Sequence, residues 1–430
     1  MFIASAAPAA FSAWLIAPFA LLLLAIALCP IAIPHFWHRH YPAVAVSLGA
    51  ISAIWYHQVT GEYAPLRHAL AEYIGFIALI GGLYTVSGGI NIRVKGEATP
   101  AVNCAFLFIG AVLANIIGTT GASMLLIRPW IRMNRYRITS FHVVFFIFIV
   151  SNVGGCLTPV GDPPLYLGYL KGVPFWWALE HCWQGWLIAV LGLIGVFFVF
   201  DRANFLRAPR EVRDAETAQE TWAFRGLHNV VFLVVILFAV LKLPFGWREG
   251  TMVAAALASW FTTRGEIHQA NDFAWEPVKE VAWLFIGIFA AMVPALAYLQ
   301  GNPPPLSSHI AFYWATGALS AVLDNAPTYI AFLATALGQQ RLTLGQVTDV
   351  QAFAVSHAGT LEAISLGAVF FGAMTYIGNG PNFMVKAIAE HSKVKTPSFI
   401  GYVVRYALPI LLPVLALIGI LFFSRWQIFG

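Results

Sequence analysis

The 430-residue chain is 60% hydrophobic and only 10% charged. A soluble domain averages about 25% charged and 45–50% apolar residues, so a soluble core could not hide this excess. That excludes a soluble enzyme, a disordered chain and a nucleic-acid-binding module. The unbroken runs FALLLLAIAL and VVFLVVILFAV exclude a strand-built barrel as well. What remains is an all-α polytopic membrane protein, multi-pass and with the lipid bilayer as its main partner. The net charge of +5, from 24 Lys/Arg against 19 Asp/Glu, then reports topology rather than an acidic partner.

A spanning helix needs about 20 apolar residues. Plain candidates run over 11–33, 42–59, 69–90, 183–200, 228–243, 250–263, 280–299 and 401–424. No basic residue precedes the first, which reads as a retained helix rather than a cleaved signal. HFWHRH at 35–40 reads as an interfacial loop, and Glu72 as an interfacial acid. Four further stretches, 100–127, 141–170, 308–338 and 352–390, are apolar but carry Gly, Pro, Asn or Thr in the middle. Unwound backbone at membrane depth is tolerated only inside protein or along a cavity, so these stretches mark a binding site. The four cysteines form no CxxC pair and read as packing residues.

The two halves match. GAVLANIIGTTGASMLL from Gly110 aligns with GALSAVLDNAPTYIAFL from Gly317, which sets Gly118 beside Asn325. TPVGDPPLYL from Thr158 aligns with TYIGNGPNFM from Thr375, which sets Asp162 beside Asn379. The blocks define N-terminal helices (1–65), repeat one (66–182), connecting helices with a cytoplasmic loop 201–225 (183–276), repeat two (277–400) and a last helix (401–430). If 100–127 and 308–338 are re-entrant hairpins, every Lys and Arg falls on one face except Arg67, Lys171, Lys242, Arg248, Arg341 and Arg425, a split of 18 against 6. If both span, the split is 10 against 14. Positive residues gather in the cytoplasm, so the hairpin reading wins. The expected fold has inverted repeats, two re-entrant hairpins and two broken transmembrane helices, with ten spans in all.

The chemistry concentrates in the broken segments. SNVGGCLTPVGDPP offers Ser151, Asn152, Thr158 and Gly161 as oxygen donors around one carboxylate, Asp162. Asp before Pro–Pro is also a plain helix cap. Asp324 and Asn325 lie mid-hairpin with Thr328, and an ionisable residue at that depth marks a functional site. The tip of the first hairpin offers Asn115, Thr119 and Thr120 without an acid. Thr375, Asn379 and Asn382 complete the ion- or substrate-binding set. A hard cation such as Na⁺ prefers oxygen, so Asn152, Thr158, Asp162, Asp324, Asn325 and Asn379 are its expected ligands. Asp162, Asp324, Glu362 and His357 are the proton-coupling candidates. Lys386 reads as a residue that snorkels to the cytoplasmic face, and no intramembrane Arg stands out as an anion ligand. No P-loop, GxSxG, GxGxxG or HExxH context appears, so neither an enzyme nor a cofactor beyond the transported Na⁺ and H⁺ is expected.

SNVGGCLTPVGDPP resembles the signature of the ion transporter superfamily, and LDNAPT resembles its hairpin motif. GTTGASMLLIRPWIRMNR is similar to a bacterial branch of NhaD-type sodium/proton antiporters and citrate transporters. Relatives carry Asn after the GDPP-type motif, whereas Leu165 stands here and only Asn382 keeps it. The resemblance implies scaffold and transport domains, an elevator-like motion, a homodimer and residence in the bacterial inner membrane. Exchange of Na⁺ (or Li⁺) for H⁺ is the leading expectation. Symport of citrate or another carboxylate with Na⁺ or H⁺ is the alternative.

Overall fold

The structure, a computed structural model, describes residues 12–93, 98–207 and 223–424. Phe11, Lys95, Arg210, Arg213, Arg425 and most of the 201–225 loop therefore lie outside the described residues. After α1 (Ala17–Ala32), α2 (Pro34–Thr60) and α3 (Ala64–Gly88), a short strand β1 (Asn91–Arg93) leads to α4 (Pro100–Met133). Then come the half-helices α5 (Ser140–Ile149) and α6 (Pro163–Lys171), and the long α7 (Trp177–Arg207). Strand β2 (Ala223–Arg225), α8 (Asn229–Lys242), α9 (Trp247–Thr262) and α10 (Gly265–Ala270) connect to the second half. That half holds α11 (Glu276–Gly301), α12 (His309–Ser320), α13 (Asn325–Gln339), α14 (Val347–Ser356), α15 (Ala358–Phe371) and α16 (Gly380–His391).

Two expectations need correction. HFWHRH is helical, because α2 starts at Pro34, whose ring suits a first turn, and only Ile33 interrupts the chain. The fold is otherwise helical, as an all-α membrane protein should be, with one three-residue strand pair: β1 runs antiparallel to β2, Asn91 opposite Arg225. Asn271 anchors this pair by accepting from the Asn91 amide at 2.7 Å and donating to the carbonyls of Gly88 and Ile90. The last span is also not a plain helix. After α17 (Phe399–Tyr402) it runs as a π-helix from Val403 to Leu411 around Pro409, then as α18 (Leu412–Phe423). Proline has no N–H to donate, which disrupts the ordinary α ladder there.

Among the described residues six helices are long and apolar enough to cross a membrane, and α14 with α15, bent by 97°, passes the same test as a pair. One of the six, α4, folds back on itself. Gly118 breaks it at φ 76°, ψ 154°, a backbone region open to glycine. The Asn103 and Asn134 amides, 31 residues apart, bond each other at 2.8 and 3.1 Å. In a straight helix they would stand about 46 Å apart at 1.5 Å per residue. Hence 100–133 is a hairpin with its tip at Gly118. The α12–α13 hairpin turns at Asp324 and closes at its base, where the Gln339 amide donates to the carbonyls of Pro304 and Leu306.

The hairpins open toward opposite ends of α7. The first base is tied to Asp201 through the Asn103 amide, 2.9 Å. The second lies at the other end: His309, at its entrance, packs against Gly359, and the Trp177 indole donates to the Ala354 carbonyl at 3.0 Å. Trp177 and Asp201 are separated by about 36 Å of helix. Between the hairpins sit α5 and α15. Residues 142–149 of α5 are fully buried, as its almost unbroken apolar composition requires.

Candidate functional site

Asp162 occupies the N-cap position of α6, before Pro163–Pro164, in extended backbone (φ −144°, ψ 144°). The residue is placed as a cap, yet its side chain caps nothing in its own helix. It turns instead to three donors. Thr119 Oγ1 and Asn379 Nδ2 donate to Oδ1 at 2.8 and 2.9 Å, and Asn325 Nδ2 donates to Oδ2 at 2.7 Å. These donors come from the first hairpin, the second hairpin and the second broken helix. Asp162 is 1% exposed. A buried carboxylate is tolerable only with such partners.

The two halves build this junction with the same bonds. Thr119 N–H donates to the Gly161 carbonyl, and Asn325 N–H to the Gly378 carbonyl, at 2.8 and 3.1 Å. Thr158 Oγ1 donates to the Asn115 carbonyl and accepts from Gly161 N–H; Thr375 Oγ1 donates to the Ala321 carbonyl and accepts from Gly378 N–H. These bonds pair Thr119 with Asn325 and Gly118 with Asp324. The aligned sequences place Gly118 beside Asn325, one residue off. The break residue decides the register: Gly118 bends the first hairpin, and Asp324 bends the second (φ −61°, ψ 135°) while accepting from Ala326 N–H at 3.0 Å.

Several expected ligands have their polar atoms engaged in shaping the backbone. Asn115 donates to the carbonyls of Ala111 and Gly154 and accepts from Leu157 N–H. Asn382 donates to the carbonyls of Gly372 and Thr375 and accepts from Asn152 Nδ2 at 2.6 Å. The Thr328 hydroxyl donates to the Asp324 carbonyl, and that of Ser151 meets Ser123 at 2.7 Å. At this junction, among the described residues, the buried amide oxygens Asn152 Oδ1 and Asn325 Oδ1 stay unpartnered. Their side chains meet above Gly372, where an added Cβ would lie 3.2 Å from both Asn152 Oδ1 and Asn325 Nδ2. A void of about 20 Å³ borders Thr119, Thr120, Gly161 and Asp162. That volume suits one water-sized body. Glu362 and His357 stand apart. Glu362 is half-buried near Cys182, and His357 stacks on Phe353 at the α14–α15 bend.

A cavity of about 600 Å³ reaches the junction from the side of the first hairpin's base. Thr120, Asp324, Asn379 and Gly380 form its floor, and Thr120 and Pro163 also border the small void. Four helices begin at this floor: the second arm of α4, then α6, α13 and α16. Each N-terminus carries roughly +0.5 of an elementary charge, together about +2, which offsets the two carboxylates and leaves a net attraction for an anion once a cation is bound at one of them. Arg128 also lines the cavity and is only 8% exposed. It lies inside α4, a buried arginine that the sequence reading did not single out. Its spacing of eight from Thr120 puts it on the same helix face, a signal readable once 100–133 is treated as one element.

Two buried ion clusters escaped the sequence reading. Asp201 pairs with Arg137 and His142 at the first hairpin's base, all three nearly solvent-free. Arg137 also donates to the Ala98 carbonyl. The lone acid closing the run VFFVF was the available clue. At the other end, the Glu72 side chain is buried, 2.8 Å from Lys171 and 3.0 Å from an exposed His68. Lys386 pairs with Glu390 at 2.7 Å.

Residues 8–423 match the family described as "Putative citrate transport". The "46 kDa membrane protein" of Mycobacterium leprae is 24% identical over 353 residues, 78% of this chain and 80% of that protein. An "Uncharacterized transporter" of Mycobacterium tuberculosis (strain ATCC 25618 / H37Rv) is 24% identical over 319 residues, 69% of this chain and 72% of its own length.

Proposed function

The chain belongs to the "Putative citrate transport" family of membrane transporters, and from that premise we propose that it moves a small carboxylate such as citrate, coupled to a cation bound at Asp162, across the bacterial inner membrane. The carrying observation is Asp162 itself, buried and held by donors from both hairpins and the second broken helix, one layer behind the floor of an open cavity. The unpartnered oxygens of Asn152 and Asn325 are the donor type Na⁺ prefers. The four helix N-termini at the floor supply the anion's half of the site. Hairpins opening toward opposite ends of α7 support inverted repeats. Alternating access then moves the hairpins and broken helices against the remaining helices, in a homodimer of the kind the resemblance implies.

A second reading, exchange of Na⁺ (or Li⁺) for H⁺, is favoured by Asp324. This second carboxylate stands at the cavity floor, where a proton and a cation would compete for it. Proteoliposomes separate the two readings. Labelled citrate should accumulate when an inward Na⁺ or H⁺ gradient is imposed, and Asp162→Asn should abolish that accumulation. Citrate-independent proton movement driven by Na⁺, with no citrate uptake, would replace symport by exchange.

A further inference from the structure

We propose that Arg128 is a carboxylate-capture residue, a second anion site in the cavity mouth that admits the substrate toward the floor; this rests on the carboxylate reading above. Thr120, Met124 and Arg128 lie four residues apart on one face of α4 and all line the cavity. Arg128 thus stands about 12 Å along the helix from Thr120 at the floor. It is the sole Lys or Arg among the described lining residues, facing Asp272, Glu276 and Glu280 on the same wall, with His38 and His391 nearby.

The other buried arginine of the first hairpin shows why Arg128 is poised for a ligand. Arg137 is saturated: it engages both oxygens of Asp201 and the Ala98 carbonyl, and its carboxylate partner is wholly buried. Arg128 instead makes one long contact, Nε to Asp272 Oδ2 at 3.4 Å, with a carboxylate that is 62% exposed. Its other contact is Nη1 to the Met124 sulfur at 3.9 Å, a weak acceptor. Among the described residues, the fork that matches a carboxylate in a two-bond grip is therefore unfilled on its cavity side. Arg128 does not neutralise the three carboxylates; it offers an entering anion one local pairing point among them.

The test uses the full-length protein in proteoliposomes with labelled citrate as probe. Arg128→Gln should raise KM for citrate on the order of tenfold, the loss of one charge-assisted pair, with the Na⁺ or H⁺ activation constant unchanged. Arg128→Lys should fall between, because it keeps the charge and loses the fork. Asp272→Asn, an exposed change that frees the guanidinium, should lower KM. An unchanged KM in Arg128→Gln, an equal shift in the cation constant, or a raised KM in Asp272→Asn would overturn the capture role. A wild-type protein that takes up no citrate would overturn the transport reading itself, and the capture role with it.

Discussion

The two hairpins solve one problem with different residues. Both must turn at the depth of Asp162 and present a donor to it. The first turns on Gly118, a residue that tolerates φ 76°, and offers the Thr119 hydroxyl. The second turns on Asp324, which caps its own helix, and offers the Asn325 amide. Their bases differ more. The first is closed by a dry cluster of Asp201, Arg137, His142, Asn103 and Asn134; the second by one half-buried glutamine. Equivalent tips with unequal bases suggest a firmly anchored first arm and a loosely closed second one.

That contrast can be attacked at its strongest point. Removing the carboxylate with Asp201→Ala leaves a buried arginine unpaired and should cost about 3–5 kcal/mol, read as a large drop in unfolding temperature in detergent. Retained stability would mean that the first base is no anchor. Next come the tips. Asn325→Ala removes both the donor to Asp162 and a free oxygen, and should weaken cation activation of transport by about 100-fold, whereas Thr119→Val should cost about tenfold. Equal effects would erase the difference between the tips. Gly118→Ala should destabilise by about 1–2 kcal/mol, since alanine is strained at that φ, and Asp324→Asn should leave unfolding nearly untouched because asparagine caps as well. The smallest effect belongs to Gln339→Ala, about 1 kcal/mol or less, because its two bonds are neutral and only partly shielded from solvent. A larger loss there would show the second base to be as firm as the first.

Much of this was legible in the chain because the bilayer makes polar interruptions costly. GDPP and DNAP stand out in apolar surroundings, and Asp162, Thr119, Asn325 and Asn379 meet where the motifs suggest. The hairpins were visible through the sorting of Lys and Arg. The pairing register was not, since sequence similarity aligned Gly118 with Asn325 and only the bonds to Gly161 and Gly378 reveal the slip. Arg137 and Asp201 are 64 residues apart, so neither predicts the other. Arg128 looked like the start of a basic loop because IRPWIR follows the apolar run directly; burial alone distinguishes it from Arg132 and Arg135.

The four helix starts around Asp162 and Asp324 bear on voltage. Moving one bare elementary charge through a 100 mV membrane potential is worth about 2.3 kcal/mol, and two carboxylates would double that. In the motion proposed above, each N-terminal partial charge would travel with an equal and opposite one at the C-terminus of its helix, so the helices would add no net charge. The two carboxylates would then feel the membrane potential whenever they cross empty, and a cation bound at each would remove that sensitivity. The return of the unloaded protein would be the voltage-dependent step.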